Sequence, residues 1–495
     1  MFIIFFSLLP VVSALVLILL EQSDEDCGDL LALATVSMNV LLSSAAFFVL
    51  NGGQIVYKMG GWVSPLGVNL VMDSFSALML LVINIVGLVS VIYSVDYMKR
   101  YTSKAKFYTL SMFLLSGLNG VVLAGDIFNL YVFIEIVAFA SYALIAFGLG
   151  KEDLEASIRY QVIGTIGSFF IFFGIGFLYA VTGTLDLADM SKIILQSPAN
   201  RAVFFAVPLL LFGFSLKAAL VPFHAWLPDA HPTAPTPVSA MLSGVVIKVS
   251  GIYGIVRIFF CVTGASPTLF QILLYAGLIS IFFGAFAALY QNDFKRILAY
   301  SSISQIGYIM VGLGTGIPLG YAGAMLHILN HAAFKSLYFM VAGAVDYAAG
   351  TRDITKLGGL SKKMKVTYIS SVAASLSLGG IPPFGGFFSK LLIILALIKS
   401  GNITVSIFVV LSSLLTLSYF MKIQKNVFLR EPEAESGLLS ETVKEVPSSM
   451  RAAMIIMAVI CLVLGLAFPW IYHGIIDSAV GVLTRGVNGS IVSGL

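Results

Sequence analysis

The chain has 495 residues, 59% of them hydrophobic and only 11% charged, with a mean hydropathy of +1.00 and a formal net charge of +4. This excludes a soluble domain of this size, and nothing in it points to a nucleic-acid partner. Three cysteines, Cys27, Cys261 and Cys461, stand singly, with no disulfide framework and no zinc or iron–sulfur spacing; no cofactor or metal is expected, and redox chemistry by the chain itself is not expected.

A helix that crosses a bilayer needs about 20 apolar residues. Fourteen stretches qualify, near 2–20, 29–50, 70–95, 107–125, 127–148, 158–181, 203–221, 237–260, 270–290, 296–315, 319–346, 367–399, 403–421 and 452–470. They predict an all-α polytopic membrane protein. The first stretch lacks a basic start, and no small-residue cleavage site precedes the acidic EQSDEDCGD, so it reads as a retained helix rather than a signal peptide. Pro and Gly interrupt the chain near 223–235 and 381–387. With fourteen spans, eighteen of the 28 Lys and Arg residues, Lys104 and Lys295 among them, fall in loops on one side. Six fall on the other, Arg257 among them, and four lie inside spans. The positive-inside rule puts the eighteen in the cytoplasm and both termini outside, in the cell membrane of a prokaryote. The polar stretch 422–450 reads either as a solvated linker or as a docking surface for a neighbouring subunit.

Five charges stand inside the predicted spans: Glu135, Lys217, Lys248, Lys335 and Lys390. A charge at the bilayer centre costs roughly 2.5–3.5 kcal/mol on insertion scales, so five of them need a reason, and the usual one is a path for ions or protons. Glu135 lies about 12 Å into its helix at 1.5 Å per residue. It reads as a carboxylate kept neutral by burial or as an ionised partner for a lysine on another helix. Lys217, five residues before Pro222, is the natural partner, either as a static bridge between helices or as a switch: burial lowers a lysine pKa and a carboxylate raises it. His327, His331 and Lys335 are spaced i, i+4, i+8 and share one helical stripe; histidine carries protons readily near neutral pH. The H-x-x-x-H spacing lacks an acidic third ligand, which speaks against a metal. Lys248 is flanked by Thr236, Ser239, Ser243 and Ser250, which suits a polar, wet face. His224, Asp229 and His231 sit in PFHAWLPDAHPTAPTP and read as a rigid Pro-rich turn or as a connection from the relay to one membrane face. Asp73 and Asp126 stand at helix starts, where an acid is ordinary, and neither is assigned a role.

PFHAW at 222–226 and PFGGF at 383–387 share the pattern P-F-x-x-aromatic, each beside an intramembrane lysine. Paired helix breaks in two halves of a chain mark the ion site of many transporters. Breaking a helix in lipid frees backbone groups that protein or water must satisfy, so both breaks are expected to line a hydrated interior.

GDIFNLYVFIEI (125–136), TGTLDLAD (182–189), the long block LKAALVPFHAWLPDAHPTAPTPVSAMLSGVVIKVSGIYGIVR (216–257), DFKRILAYSSISQIGY (293–308), HAAFKSLYF (331–339) and GGIPPFGGFFSK (379–390) resemble the antiporter-like proton-translocating membrane subunits. That superfamily includes the large membrane subunits of respiratory complex I, the D subunit of Mrp-type sodium/proton antiporters and the related subunit of membrane-bound hydrogenases. The resemblance covers residues 65–425. It implies about fourteen transmembrane helices with two inverted five-helix repeats, each with a broken helix. The implied division is 1–106 for the first three helices, 107–260 and 270–421 for the repeats, and 422–495 for the linker and last helix. It also implies Glu135 and Lys217 as a coupling ion pair, Lys248 with the histidine-bearing helix as the central relay, and Lys390 as the terminal lysine. Lysine at 390 departs from the similar-sized complex I subunit, which usually has glutamate there. With FNLYVFIEI, this favours an Mrp-D-like subunit, serving an antiporter or a hydrogenase or oxidoreductase that reuses the module. Its partners would be other membrane subunits, the lipid bilayer, H+ and Na+. The alternative is a self-sufficient secondary transporter for a small solute, which predicts a central cavity with aromatic or amide groups instead of a row of lysines.

Overall fold

A computed structural model describes residues 2–19, 25–50, 52–62, 67–101, 103–196, 200–431 and 443–486. The central part of the expected linker, 432–442, lies outside the described residues. The elements in chain order are α1 (Phe5–Leu19), α2 (Glu25–Leu50), a hairpin of β1 (Ile55–Lys58) and β2 (Asn69–Met72), α3 (Ser74–Tyr97), α4 (Lys104–Leu123), α5 (Ile127–Ile145), α6 (Lys151–Thr182), α7 (Leu187–Gln196), α8 (Arg201–Lys217) and α9 (Leu227–Thr233). Then come α10 (Thr236–Phe260), α11 (Pro267–Tyr290), α12 (Phe294–Gly314), α13 (Pro318–Ala349), α14 (Lys365–Gly379), α15 (Gly385–Lys399), α16 (Ile403–Ile423) and α17 (Ser448–Leu466).

Among the described residues, twelve helices are long and apolar enough to cross a membrane. The two expected spans missing from that set are the interrupted ones. Stretch 203–221 is the 17-residue α8, which stops at Lys217. Stretch 367–399 is two 15-residue helices, α14 and α15. Both helices stop in the same way. Leu220 N donates to Ser215 O at 3.0 Å and Ile381 N to Leu376 O at 3.0 Å, after a residue of positive φ, Ala219 at 55° and Gly380 at 78°. A cis proline follows in each, at Val221–Pro222 and Pro382–Pro383.

A second correspondence runs at a constant shift of 167 residues. Helices α6 and α13 each have 32 residues and end on a left-handed glycine, Gly183 and Gly350. Asp126 caps α5 by accepting from Asn129 N, and Asp293 caps α12 by accepting from Arg296 N. Isolated bridges join Asp126 to Asp186 and Asp293 to Asp353. Around them, Ile127 N donates to Leu185 O and Leu187 N to Gly125 O. Phe294 N donates to Arg352 O and Ile354 N to Asn292 O in the same way.

Helices α10 and α13 are enclosed on all sides, and α12 nearly so. Apolar side chains such as Phe169, Phe173 and Phe204 point outward from the rim, as a hydrocarbon solvent requires. Helices α11 and α12 press together backbone to backbone. A Cβ on Gly277 would lie 2.8 Å from Gly307 O, and one on Gly307 would lie 2.5 Å from Gly277 O. Small residues allow such approach, and in lipid that close packing drives association.

Three residues assigned to loops by sequence are inside the protein. Arg257 is buried and forks onto Asp73, at 2.7 and 3.1 Å, with Ser76 and Tyr253 completing its bonds. Lys104 is buried against Asp29 at 2.7 Å. Lys295 is buried and donates to Ala234 O at 2.9 Å. Lys104 and Lys295 have polar or basic neighbours in sequence, and Arg257 stands near the end of its apolar stretch, so all three read as loop charges; their acceptors lie 61 to 184 positions away.

Candidate functional site: a buried row of charges

Glu135 projects from α5 toward α6 and α8. Its Oε1 lies 3.6 Å from Lys217 Nζ, and Ser168 Oγ donates to it from α6. Lys217 is in the last turn of α8, where cations meet the negative end of the helix dipole. Its ammonium is enclosed and donates no hydrogen bond among the described residues, so the carboxylate is its main compensation. Glu135 is the more open partner, 22% exposed against 4% for the lysine side chain. It shares a stripe of α5 with the exposed Phe128, Val132 and Phe139. The pair therefore reaches the lateral surface of the chain.

Ala218 packs against Gly251 of α10: a Cβ on Gly251 would lie 2.5 Å from Ala218 Cα. This places the turn after Lys217 directly against the helix of Lys248. α10 is wound largely as π-helix, in three runs from Leu242 to Phe260, and such widening often marks functional sites. Lys248 is fully buried, and its ammonium turns back onto the carbonyls of Ser243 and Gly244, at 2.5 and 2.6 Å. No carboxylate pairs with it among the described residues. The polar side chains expected beside it bond within the protein: Ser243 to Ser302 at 2.8 Å, Ser239 to His231 O at 2.8 Å and Thr236 to Tyr97 at 3.1 Å.

His327, His331 and Lys335 are all fully buried on α13. The rings of His327 and His331 are 6.3 Å apart. His331 is within electrostatic range of Lys248, Lys335, His327 and His231, and both its ring nitrogens lack partners among the described residues. Lys335 donates to Leu298 O at 2.9 Å and to Ser301 Oγ of α12. His327 meets Ser389 Oγ of α15 through Nδ1 at 2.9 Å. One residue on, Lys390 donates to Leu378 O at 2.9 Å, a last-turn carbonyl of α14, and lies 4.7 Å from the ring centre of Tyr308. A helix end leaves four carbonyls without intrahelical donors; here the break itself supplies the acceptor.

The structure thus joins Glu135 to Lys217, and Lys248 through His331 and Lys335 to His327 and Lys390. The packing of Ala218 on Gly251 sets the turn after Lys217 against the helix that carries Lys248. His224 is not brought into the row: half-buried, it rests edge-on against Phe283 at 4.4 Å. His231 is fully buried beside Phe339, with neither nitrogen partnered among the described residues, and is within range of Lys335, Lys295 and Lys248. Asp229 faces outward and binds Arg159 at 3.1 Å and Arg296 at 3.4 Å. Among the described residues no three His, Cys, Asp or Glu side chains are arranged to hold a metal. Sequence reasoning missed Ser168, Ser301 and Tyr308, which hold the charges in place. The local signal for the latter two was the motif-like stretch SSISQIGY; Ser168 lies in no such stretch.

Interrupted helices around an enclosed row of lysines and histidines define a multi-pass membrane protein with a polar axis. The family model described as "NADH:quinone oxidoreductase/Mrp antiporter, TM" matches residues 124–416, and that described as "NADH-Ubiquinone oxidoreductase (complex I), chain 5 N-terminus" matches 62–108. The chain belongs to this NADH:quinone oxidoreductase/Mrp antiporter membrane family. It is 38% identical over 437 residues to the N subunit of the NADH-quinone oxidoreductase of Desulforudis audaxviator, covering 86% of this chain and 87% of that one. It is 37% identical over 392 residues to the D subunit of the Na(+)/H(+) antiporter of Alkalihalophilus pseudofirmus, covering 79% of each. The fold superimposes with a TM-score of 0.90 on a chain of the Mrp complex from Dietzia sp., at 26% identity over 97% of both chains. The same score, at 30% identity over 98% of both, is found for a chain of a membrane-bound sulfane sulfur reductase, an archaeal respiratory membrane complex.

Proposed function

We propose that the chain is an ion-translocating subunit of a multisubunit membrane complex, moving protons along the Glu135–Lys217–Lys248–His331/Lys335–His327–Lys390 row. The carrying observation is the Lys217–Glu135 pair: a buried ammonium with one opposing carboxylate, 3.6 Å away. At an effective dielectric near 20, two charges about 4 Å apart attract by about 4 kcal/mol. Protonating or displacing Glu135 removes that attraction and favours release of the lysine proton toward the enclosed groups beyond. Lys248, Lys335 and Lys390 rest mainly on carbonyl oxygens instead of carboxylates, so each can give up its proton without leaving a buried anion behind.

The half-open Glu135 stripe supports a partner subunit on that side, since a carboxylate facing hydrocarbon is costly. Names of the relatives support the role of the Mrp D subunit or the equivalent role in a respiratory oxidoreductase. We further propose fourteen crossings, with α8–α9 and α14–α15 as the two interrupted ones, in the cell membrane of a prokaryote with both termini outside. Counted so, Asp229, Arg159, Arg296 and Lys422 fall on the cytoplasmic side, and the Asp73–Arg257 pair falls on the outer one. The shift of 167 residues supports two units near 107–260 and 270–421. Five crossings per unit then invert one relative to the other. Reconstitution of the complex in vesicles tests the reading: Lys217→Ala or Glu135→Ala should assemble but fail to move protons, and wild-type flux by either variant would sink it.

A further inference from the structure

The two Asp–Asp bridges have the same backbone and opposite electrostatics. In the second, Asp293 has a cation: Arg352 Nε lies 3.4 Å from its Oδ2. The residue 167 positions earlier is Leu185, and among the described residues no lysine or arginine pairs with Asp126 or Asp186. Asp186 is satisfied by hydrogen bonds: its Oδ1 accepts from Ala188 N and Asp189 N, and its Oδ2 accepts from Asn69 Nδ2 at 3.0 Å. Asp126 is not. Its Oδ1 accepts from Asn129 N at 2.6 Å, and its Oδ2 is buried with no partner. The amide that bonds Asp186 leaves its own Oδ1 buried and unpartnered too. Asn69 and Asp126 are each only 7% exposed, and Gly125 N bonds Asn69 O at 2.9 Å, holding the two side by side. Burial pushes the Asp126 carboxyl up to about 6, the Asn129 N–H opposes this, and Asp186 adds to the rise. Two orphaned oxygens, both acceptors, call for a positive charge. Buried polar atoms are nearly always satisfied, and oxygen-only donors suit a hard cation.

We propose that Asp126 and Asn69, backed by Asp186, form a binding site for one sodium ion, which does at the first bridge what Arg352 does at the second. The comparison fixes the sign of the charge: at the second bridge Arg352 faces Asp293 and Lys356 Nζ lies 3.9 Å from Asp353 Oδ2, whereas at the first Asp186 is satisfied by hydrogen bonds and Asp126 is the acid left to be balanced. The ligands would be Asp126 Oδ2 and Asn69 Oδ1, with water completing the shell. The site lies apart from the charge row, at the end of α5 opposite to the end nearer Asp229, and does not depend on the relay reading.

Equilibrium binding of 22Na+ to the purified complex, with excess choline or potassium chloride as competitor, tests it. The wild-type complex should hold one more sodium per copy of this chain than Asp126→Asn, in which asparagine keeps the helix cap. Leu185→Arg should lose the same single ion, because it imports the guanidinium of the second bridge. Asp293→Asn should bind like wild type. Equal stoichiometry in wild type and both first-bridge variants would overturn the site. So would a site that responds to pH alone and takes up no sodium, which would mean that a proton fills it.

Discussion

The two interrupted helices have nearly the same backbone, and their lysines live in different electrical surroundings. At the first break, Lys217 stands before the interruption, donates no hydrogen bond among the described residues, and faces Glu135 at a surface-reaching position. At the second, Lys390 stands after the interruption, as buried as Lys217, with Leu378 O and the Tyr308 ring for company and, among the described residues, no acid. One end of the row is held by charge against charge and the other by dipoles and a π face. The first is sensitive to anything that moves or protonates one carboxylate; the second tolerates change. On the proposed relay, the same turn geometry would serve as trigger or as terminus, depending on which side of it the lysine falls.

The largest expected effect is at the trigger. Lys217→Glu sets two carboxylates against each other and should reduce proton flux in vesicles to the level of empty vesicles. Lys390→Glu should keep a measurable fraction, since no acid opposes it and both side chains carry a proton. Equal loss in both would erase the contrast. Next comes the turn. Gly380→Ala forces a Cβ into the left-handed region and toward Lys390 Cδ, 3.1 Å away; it should destabilise by about 1–2 kcal/mol. Ala219→Gly relieves the same conformation and should stabilise by about 0.5–1 kcal/mol, both read by thermal unfolding of the complex. Opposite signs would show that the two turns hold one geometry. The smallest effect is at the ring. Tyr308→Phe should leave flux nearly unchanged, while Tyr308→Leu removes a cation–π contact worth about 1 kcal/mol and should lower the rate about fivefold. A larger loss in Tyr308→Phe would mean that the hydroxyl, bonded to Ser412 at 2.6 Å, matters more than the π face.

The fold class was legible because lipid imposes long apolar helices, and the row was legible because charges in those helices are conspicuous. Glu135, Lys217, Lys248, the α13 stripe and Lys390 all needed only local reading. What escaped was decided at long range. Arg257 stands near the end of an apolar stretch and reads as a loop residue until Asp73, 184 positions earlier, is seen to take it. The interior of stretch 367–399 reads as one helix with a blemish, whereas Gly380 turns the chain and frees the carbonyl that holds Lys390. His224 and His231 look equivalent in sequence, seven residues apart. Only packing sends His231 to the interior and leaves His224 against Phe283. The acid pairs at 126/186 and 293/353 were hidden because each aspartate reads as an ordinary cap.

The glycine contact between α11 and α12 has a mechanical consequence. With Gly277 and Gly307 interlocked at backbone distance, α12 cannot slide along α11 without a steric collision within a fraction of a residue rise. Ser301 and Tyr308, one on each side of Gly307, are thus bolted to a stiff beam. Any stroke that changes the spacing of Lys335 or Lys390 from their supports has to come from α13 or from the joint between α14 and α15, while α12 serves as the stator.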